Sequence, residues 1–251
     1  MFKKISRKIS RDGLGAGIIA IFRYLYYFKS RREYNQMLML KTTKEKFSMI
    51  YQKNFWFSSE SRSGEGSELS STSHLRTTLP TLIENYKISS LVDAPCGDFN
   101  WMKLVNFRKP VKYIGIDIVE TVITENIRNY GQEKISFILS DIISDQLPDC
   151  DLLLVRDALF HFSFKDIDKF LKNIANLDYK YLLTTTHYQL ENNFKNRDII
   201  TGDFRLIDLH KHPFNIESKD VLEEVIDYKV GSGSPKKLLM LEKRNVPKKL
   251  Y

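Results

Sequence analysis

Five short apolar runs, each with an acid or another polar residue at or just beyond its carboxyl end, restrict this chain more than any other feature. They are "SLVDA" (90–94), "VKYIGID" (111–117), "ISFIL" (135–139), "DLLLVRD" (151–157) and "KYLLTTTH" (180–187). Between them lie stretches of helical spacing at 98–107, at 119–130 ending on Gly131 as a C-cap, and at 164–177, opened by Ser163 with Asp166 three residues on. Strands that alternate with helices join through right-handed crossovers into a mainly parallel sheet covered on both faces. The final part predicts a helix near 218–225, then strands "EVIDYKV" and "KKLLMLEKR", with "GSGSP" as their hairpin turn. The fold class is therefore α/β.

Three regions follow. Residues 1–57 form a basic, aromatic N-terminal helical extension; residues 58–87 a Ser/Gly-rich loop, read as a lid over a site or as a linker, and a helix that Pro80 must kink or divide; residues 88–251 the main domain. With 42% hydrophobic and 28% charged residues, a chain of 251 residues folds around a sizeable core. The net charge of +8 is unevenly placed: residues 1–34 carry +7 and residues 235–251 carry +5, which leaves the body at −4. A negative body argues against a nucleic-acid groove. The basic, apolar first segment instead fits peripheral contact with an anionic membrane face, or a helix packed on its own domain. Cys96 and Cys150 stand far apart without metal-ligand spacing, which fits a reducing cytoplasm.

Open parallel sheets bind ligands beyond the carboxyl ends of their strands. In "DAPCGDF" (93–99), a turn between a strand and a predicted helix offers free backbone N–H groups, and Gly97 allows close approach. The dinucleotide pattern of three glycines is absent, since Pro95 and Phe99 interrupt it, which demotes NAD and FAD. Asp98 at a helix start would repel phosphate and accept from an ammonium group, so the turn suits an amino acid. Asp117 can accept from ribose hydroxyls, and Asp141 from an adenine amino group. Amino acid, ribose and adenine together are the parts of S-adenosylmethionine.

The run "VDAPCGDFNWM … YIGIDIV … DIISDQLPDCDLLLVRDALFHFS … YLLTTTH" resembles the class I S-adenosylmethionine-dependent methyltransferases over residues 88–245. Two further segments, "SESRSGEGSEL" and "NRDIITGDFRLIDL", resemble a poorly characterised bacterial subgroup of that family. The resemblance implies a Rossmann-like, doubly wound, seven-stranded sheet in the order 3-2-1-4-5-7-6 with strand seven antiparallel. It implies a cofactor set of Asp93, Ala94, Cys96, Gly97, Asp98, Asp117, Ile118, Asp141, Ile142 and Arg156. The expected general bases are Asp157, His161 and His187; the expected acceptor-binding residues are Arg205, Tyr188 and Ser67. The expected activity is cytoplasmic methyl transfer to a small-molecule or saccharide-type hydroxyl. Its rivals are methylation of nucleic acid or protein, and a catalytically inactive scaffold with the same fold.

Overall fold

The computed structural model describes residues 31–228 and 235–250. Residues 31–38 are helical and lead into α1, Thr43–Lys53. A capping box starts α1: Thr42 Oγ1 accepts from the Glu45 N–H at 3.2 Å while Glu45 Oε2 accepts from the Thr42 N–H at 3.0 Å. Asn54, in the left-handed region at φ 50°, ends it. Helix α2, Ser73–Asn85, runs through Pro80 undivided, so of the two expectations, a kink or a division, the division does not occur. Pro80 loses one backbone donor, but its ring is buried with Leu75, Leu79, Leu82 and Ile83 on the core side.

The remaining elements are β1 (Ser90–Asp93), β2 (Lys112–Asp117), α3 (Glu120–Tyr130), β3 (Ile135–Leu139), β4 (Cys150–Val155), α4 (Phe164–Ala175), β5 (Tyr179–His187), β6 (Val221–Ile226) and β7 (Lys236–Glu242). They build one seven-stranded sheet in the order β3-β2-β1-β4-β5-β7-β6. Strands β1 to β5 pair in parallel and β7 runs antiparallel to both neighbours, as the resemblance implied. Alternate strand residues face opposite layers. Val92, Leu153 and Leu182 pack with Ile167, Phe170 and Ile174 of α4, whereas Leu91, Leu152 and Leu183 pack with Leu75, Leu79 and Leu82 of α2.

Two predicted helices are absent. In 98–107 only Met102–Leu104 makes a 3-10 turn. Phe99 takes φ 57° and its buried ring meets Tyr113, Tyr130 and Phe137 at centroid distances of 5.1–5.2 Å, so an aromatic cluster overrides the local helix signal. At 218–225 a 3-10 turn, Ser218–Asp220, gives way to β6, which starts three residues before the predicted strand because pairing with β7 extends it. The turn between β6 and β7 and residues 1–30 lie outside the described residues. Among the described residues no helix is long and apolar enough to cross a membrane.

Candidate active site

The register aligns the carboxyl ends of β1, β2 and β4, and a cleft of about 890 Å³, open solvent at its mouth included, lies beyond them. Gly97, at φ +57°, stands in its wall, and a Cβ there would collide with Ser63. The turn is fastened to β2, since Asp117 accepts from the N–H groups of Gly97 (3.1 Å) and Val119 (2.9 Å). Burial pushes the Asp117 carboxyl up to about 6 against the pull of those N–H groups. Asp93 is 2% exposed and accepts from the Tyr113 hydroxyl at 2.8 Å; burial raises it to about 7 although Tyr113 and Arg156 act in the other direction. Asp141 accepts from the Ile143 N–H at 2.9 Å and is also shifted up by burial.

Cys96, Gly97, Ile118, Ile142 and Arg156 join these three acids in the cleft wall. Burial pushes the Cys96 thiol well above its ordinary value, so it is no nucleophile. Ala94 is fully buried behind the wall, its N–H bonded to the Leu154 carbonyl at 2.9 Å. Asp98 is also outside the cleft. Its carboxylate accepts from Ser61 Oγ at 2.9 Å and from the Arg62 N–H at 3.0 Å, and its own N–H donates to Ser63 Oγ at 2.9 Å. Asp98 thus straps down the loop at 58–67 and is not free to meet an ammonium group. Asn100 adds bonds to Glu60 (2.7 Å) and to the Ser67 carbonyl (3.1 Å), so this loop is a packed cover of the turn and not a loose linker.

The end of β4 is built differently. The Arg156 guanidinium grips Asp227 through Nε (2.8 Å) and Nη2 (2.9 Å), donates to the Gly66 carbonyl at 2.6 Å and lies 5.2 Å from the Trp101 ring centre. Asp157, at φ 54°, is ion-paired with Lys236 and stands 3.4 Å from Arg156. Burial alone would raise its carboxyl, but Arg156 and Lys236 outweigh that and hold it well below the usual range. So bound, Asp157 is a fixed anion whose carboxylate is engaged by Lys236 and Arg156, which weakens its candidacy as a base.

The two histidines separate on their partners. His161 lines the cleft, and its Nδ1 donates to the Asp203 carbonyl at 2.9 Å, a contact that needs the proton on Nδ1 and leaves Nε2 as a bare acceptor. Burial lowers His161 to about 4, so it is neutral at physiological pH. His187 lies outside the cleft, 4% exposed, with Nδ1 accepting from the Ile207 N–H at 3.2 Å and its ring against Phe160.

Of the expected acceptor residues only Ser67 reaches the cleft. Arg205 is 1% exposed; it donates to the carbonyls of Phe162 (2.5 Å) and Leu159 (3.3 Å) and covers Phe164, so it holds a loop together and cannot clamp a ligand. Tyr188, just past the end of β5, packs on Tyr228 and Lys237. Sequence reasoning missed the opposite wall, where Thr43, Phe47 and Tyr51 of α1, with Trp56 just after it, line the cleft. Its signal was the amphipathic pattern of "TKEKFSMIYQKNFW", which reads equally well as a helix packed on a core.

No family model matches the sequence, and no curated protein matches it. Solved structures do. Human N-acetylserotonin methyltransferase, solved with S-adenosylmethionine, is similar at 14% identity and a TM-score of 0.51, covering 77% of this chain and 58% of that one. The methyltransferase domain of bacterial CtHen1 is similar at 15% identity and 0.51, covering 68% and 99%; TnmH at 13% and 0.52, covering 68% and 55%. The chain thus spans a little over half the length of two of these three. At such identities the likeness is one of fold. Sheet order, the reversed β7 and these likenesses agree: the described residues have the Rossmann-like fold of the class I S-adenosylmethionine-dependent methyltransferases.

Proposed function

We propose that the chain is an S-adenosylmethionine-dependent methyltransferase acting on a hydroxyl of a small-molecule or saccharide-type acceptor. The observation that carries this reading is the row of three strand-end acids, Asp93, Asp117 and Asp141, facing one cleft beside a glycine turn with no salt bridge to a described lysine or arginine. Carboxylates desolvated in this way accept strongly from hydroxyl and amino donors. The residues fit the cofactor: Asp117 suits ribose hydroxyls, Asp141 with the Ile142 backbone suits an adenine edge, and the Gly97 turn leaves room for the amino-acid end. When bound, S-adenosylmethionine supplies a sulfonium methyl that an acceptor oxygen takes up, with the thioether as leaving group.

The protein's own task is alignment and proton removal. Positioning contributes roughly 7–11 kcal/mol in favourable systems. Among the three expected bases, His161 is the one whose geometry suits the role, because it faces the cleft and its bare Nε2 takes the hydroxyl proton. Isothermal titration with S-adenosylmethionine and S-adenosylhomocysteine tests the reading; heat with neither sinks it and favours an inactive scaffold. The +7 of residues 1–34 supports a cytoplasmic protein that touches an anionic membrane face. Replacing Lys3, Lys4, Arg7 and Lys8 with Gln should then reduce co-sedimentation with anionic liposomes.

A further inference from the structure

The cleft has two unlike ends, and the one away from Asp117 and Asp141 holds an unusual density of hydrogen-bonding groups. Ser67, Asp157 and His161 all line it, together with the indole of Trp56. Trp56 is held in place by its neighbours: its ring centre lies 5.3 Å from that of His161, and a Cβ on Gly64, whose φ is +95°, would come within 3.0 Å of the Trp56 Cβ. Neither Ser67 Oγ nor His161 Nε2 has a hydrogen-bond partner among the described residues. Asp157 keeps part of its carboxylate exposed despite the Lys236 pair.

We infer that this end is an acceptor subsite for a saccharide ring, an inference that rests on the methyltransferase reading and narrows it. A sugar presents an apolar C–H face and a ring of hydroxyls at its edge. The indole of Trp56 suits the face, and Ser67, Asp157 and His161 suit three neighbouring hydroxyls, the one at His161 Nε2 being the methyl acceptor. A phenolic acceptor offers one hydroxyl, or two in a catechol, and would leave at least one of these polar groups covered without a partner, which a site built on hydrogen bonds penalises strongly. Trp56 and Ser67 are thereby specificity-determining residues.

The test uses the full chain saturated with S-adenosylhomocysteine and probed by saturation-transfer NMR with methyl hexopyranosides and, separately, with catechol. A glycoside should bind, with affinity about tenfold weaker in Trp56→Ala and Ser67→Ala and largely kept in Trp56→Phe, while S-adenosylhomocysteine affinity stays within about twofold. Binding of catechol alone, of no probe, or of glycosides indifferent to both substitutions overturns the saccharide assignment while leaving the methyltransferase reading intact. Failure of S-adenosylhomocysteine to bind the unmodified chain removes that reading and this inference with it.

Discussion

Along one edge of one sheet, the rim over β1–β3 and the rim over β4–β7 treat their acids in opposite ways. Asp93 and Asp117 are buried and Asp141 half-buried, none with a described cation in contact, and desolvation pushes all three up. Buried Asp227 and half-buried Asp157 have Arg156 and Lys236 between them, and Asp157 is driven down. The first rim keeps its lone pairs for a cofactor; the second commits most of its charge to holding the protein in shape and leaves only the exposed part of Asp157 toward the cleft. Arg156 also ties in the cover loop through the Gly66 carbonyl, so the second rim fixes the cavity that the first rim furnishes. Position at a strand end is therefore insufficient to mark an acid as ligand-binding, and the partner set decides.

Removing a partner on the second rim should have the largest effect. Asp227→Ala leaves a buried guanidinium short of its bidentate partner, and such losses cost about 3–5 kcal/mol. The midpoint of thermal unfolding, followed by scanning fluorimetry, should fall by roughly ten degrees. Next comes His161→Gln, which should lower turnover by about 10²–10⁴-fold while the titrated affinity for S-adenosylhomocysteine is unchanged. An unaltered rate would return the choice of base to Asp157.

On the first rim, Asp117→Ala should weaken S-adenosylmethionine binding about a hundredfold, since each hydrogen bond to a charged group contributes roughly 1.5–3 kcal/mol. In the wild-type chain the same affinity should decline as pH falls through about 6, where the Asp117 carboxylate is protonated. The smallest effect is on stability. Asp93 takes its proton more readily folded than unfolded, so its favourable contribution is complete below about pH 4 and lost as pH rises through about 7. Asp93→Asn keeps an acceptor for Tyr113 and should stabilise the fold at pH 8 by on the order of 1 kcal/mol, with no difference from wild type at pH 4. A destabilised variant at pH 8 would mean that Arg156 already neutralises Asp93 and that the two rims differ less than described.

The sheet was legible because its inner strands β1, β2, β4 and β5 are nearly continuous apolar runs, a pattern that burial on both faces requires. Local signals also located α3 and α4, the latter through Ser163, whose hydroxyl accepts from the Asp166 N–H at 3.1 Å. They failed where tertiary contacts overrode them: Phe99 turns its ring into an aromatic cluster and dissolves a helix that "DFNWMKLV" would otherwise start. Within the site, strand-end acids could be identified from spacing, but their partners could not. Asp98 bonds to a loop some 35 residues earlier, Arg205 to carbonyls more than 40 residues earlier, and Asp227 to Arg156 across 71 residues. His161 and His187 read alike in sequence, and only the Asp203 carbonyl and the Ile207 N–H tell them apart.

The contrast between the two rims is tested most directly by hydrogen exchange of the intact chain with and without S-adenosylhomocysteine. The account predicts slowed exchange in peptides covering 93–98, 117–120 and 141–143, with Asp117→Ala abolishing that protection. Protection confined to peptides beyond β4, or protection that persists in Asp117→Ala, would contradict it.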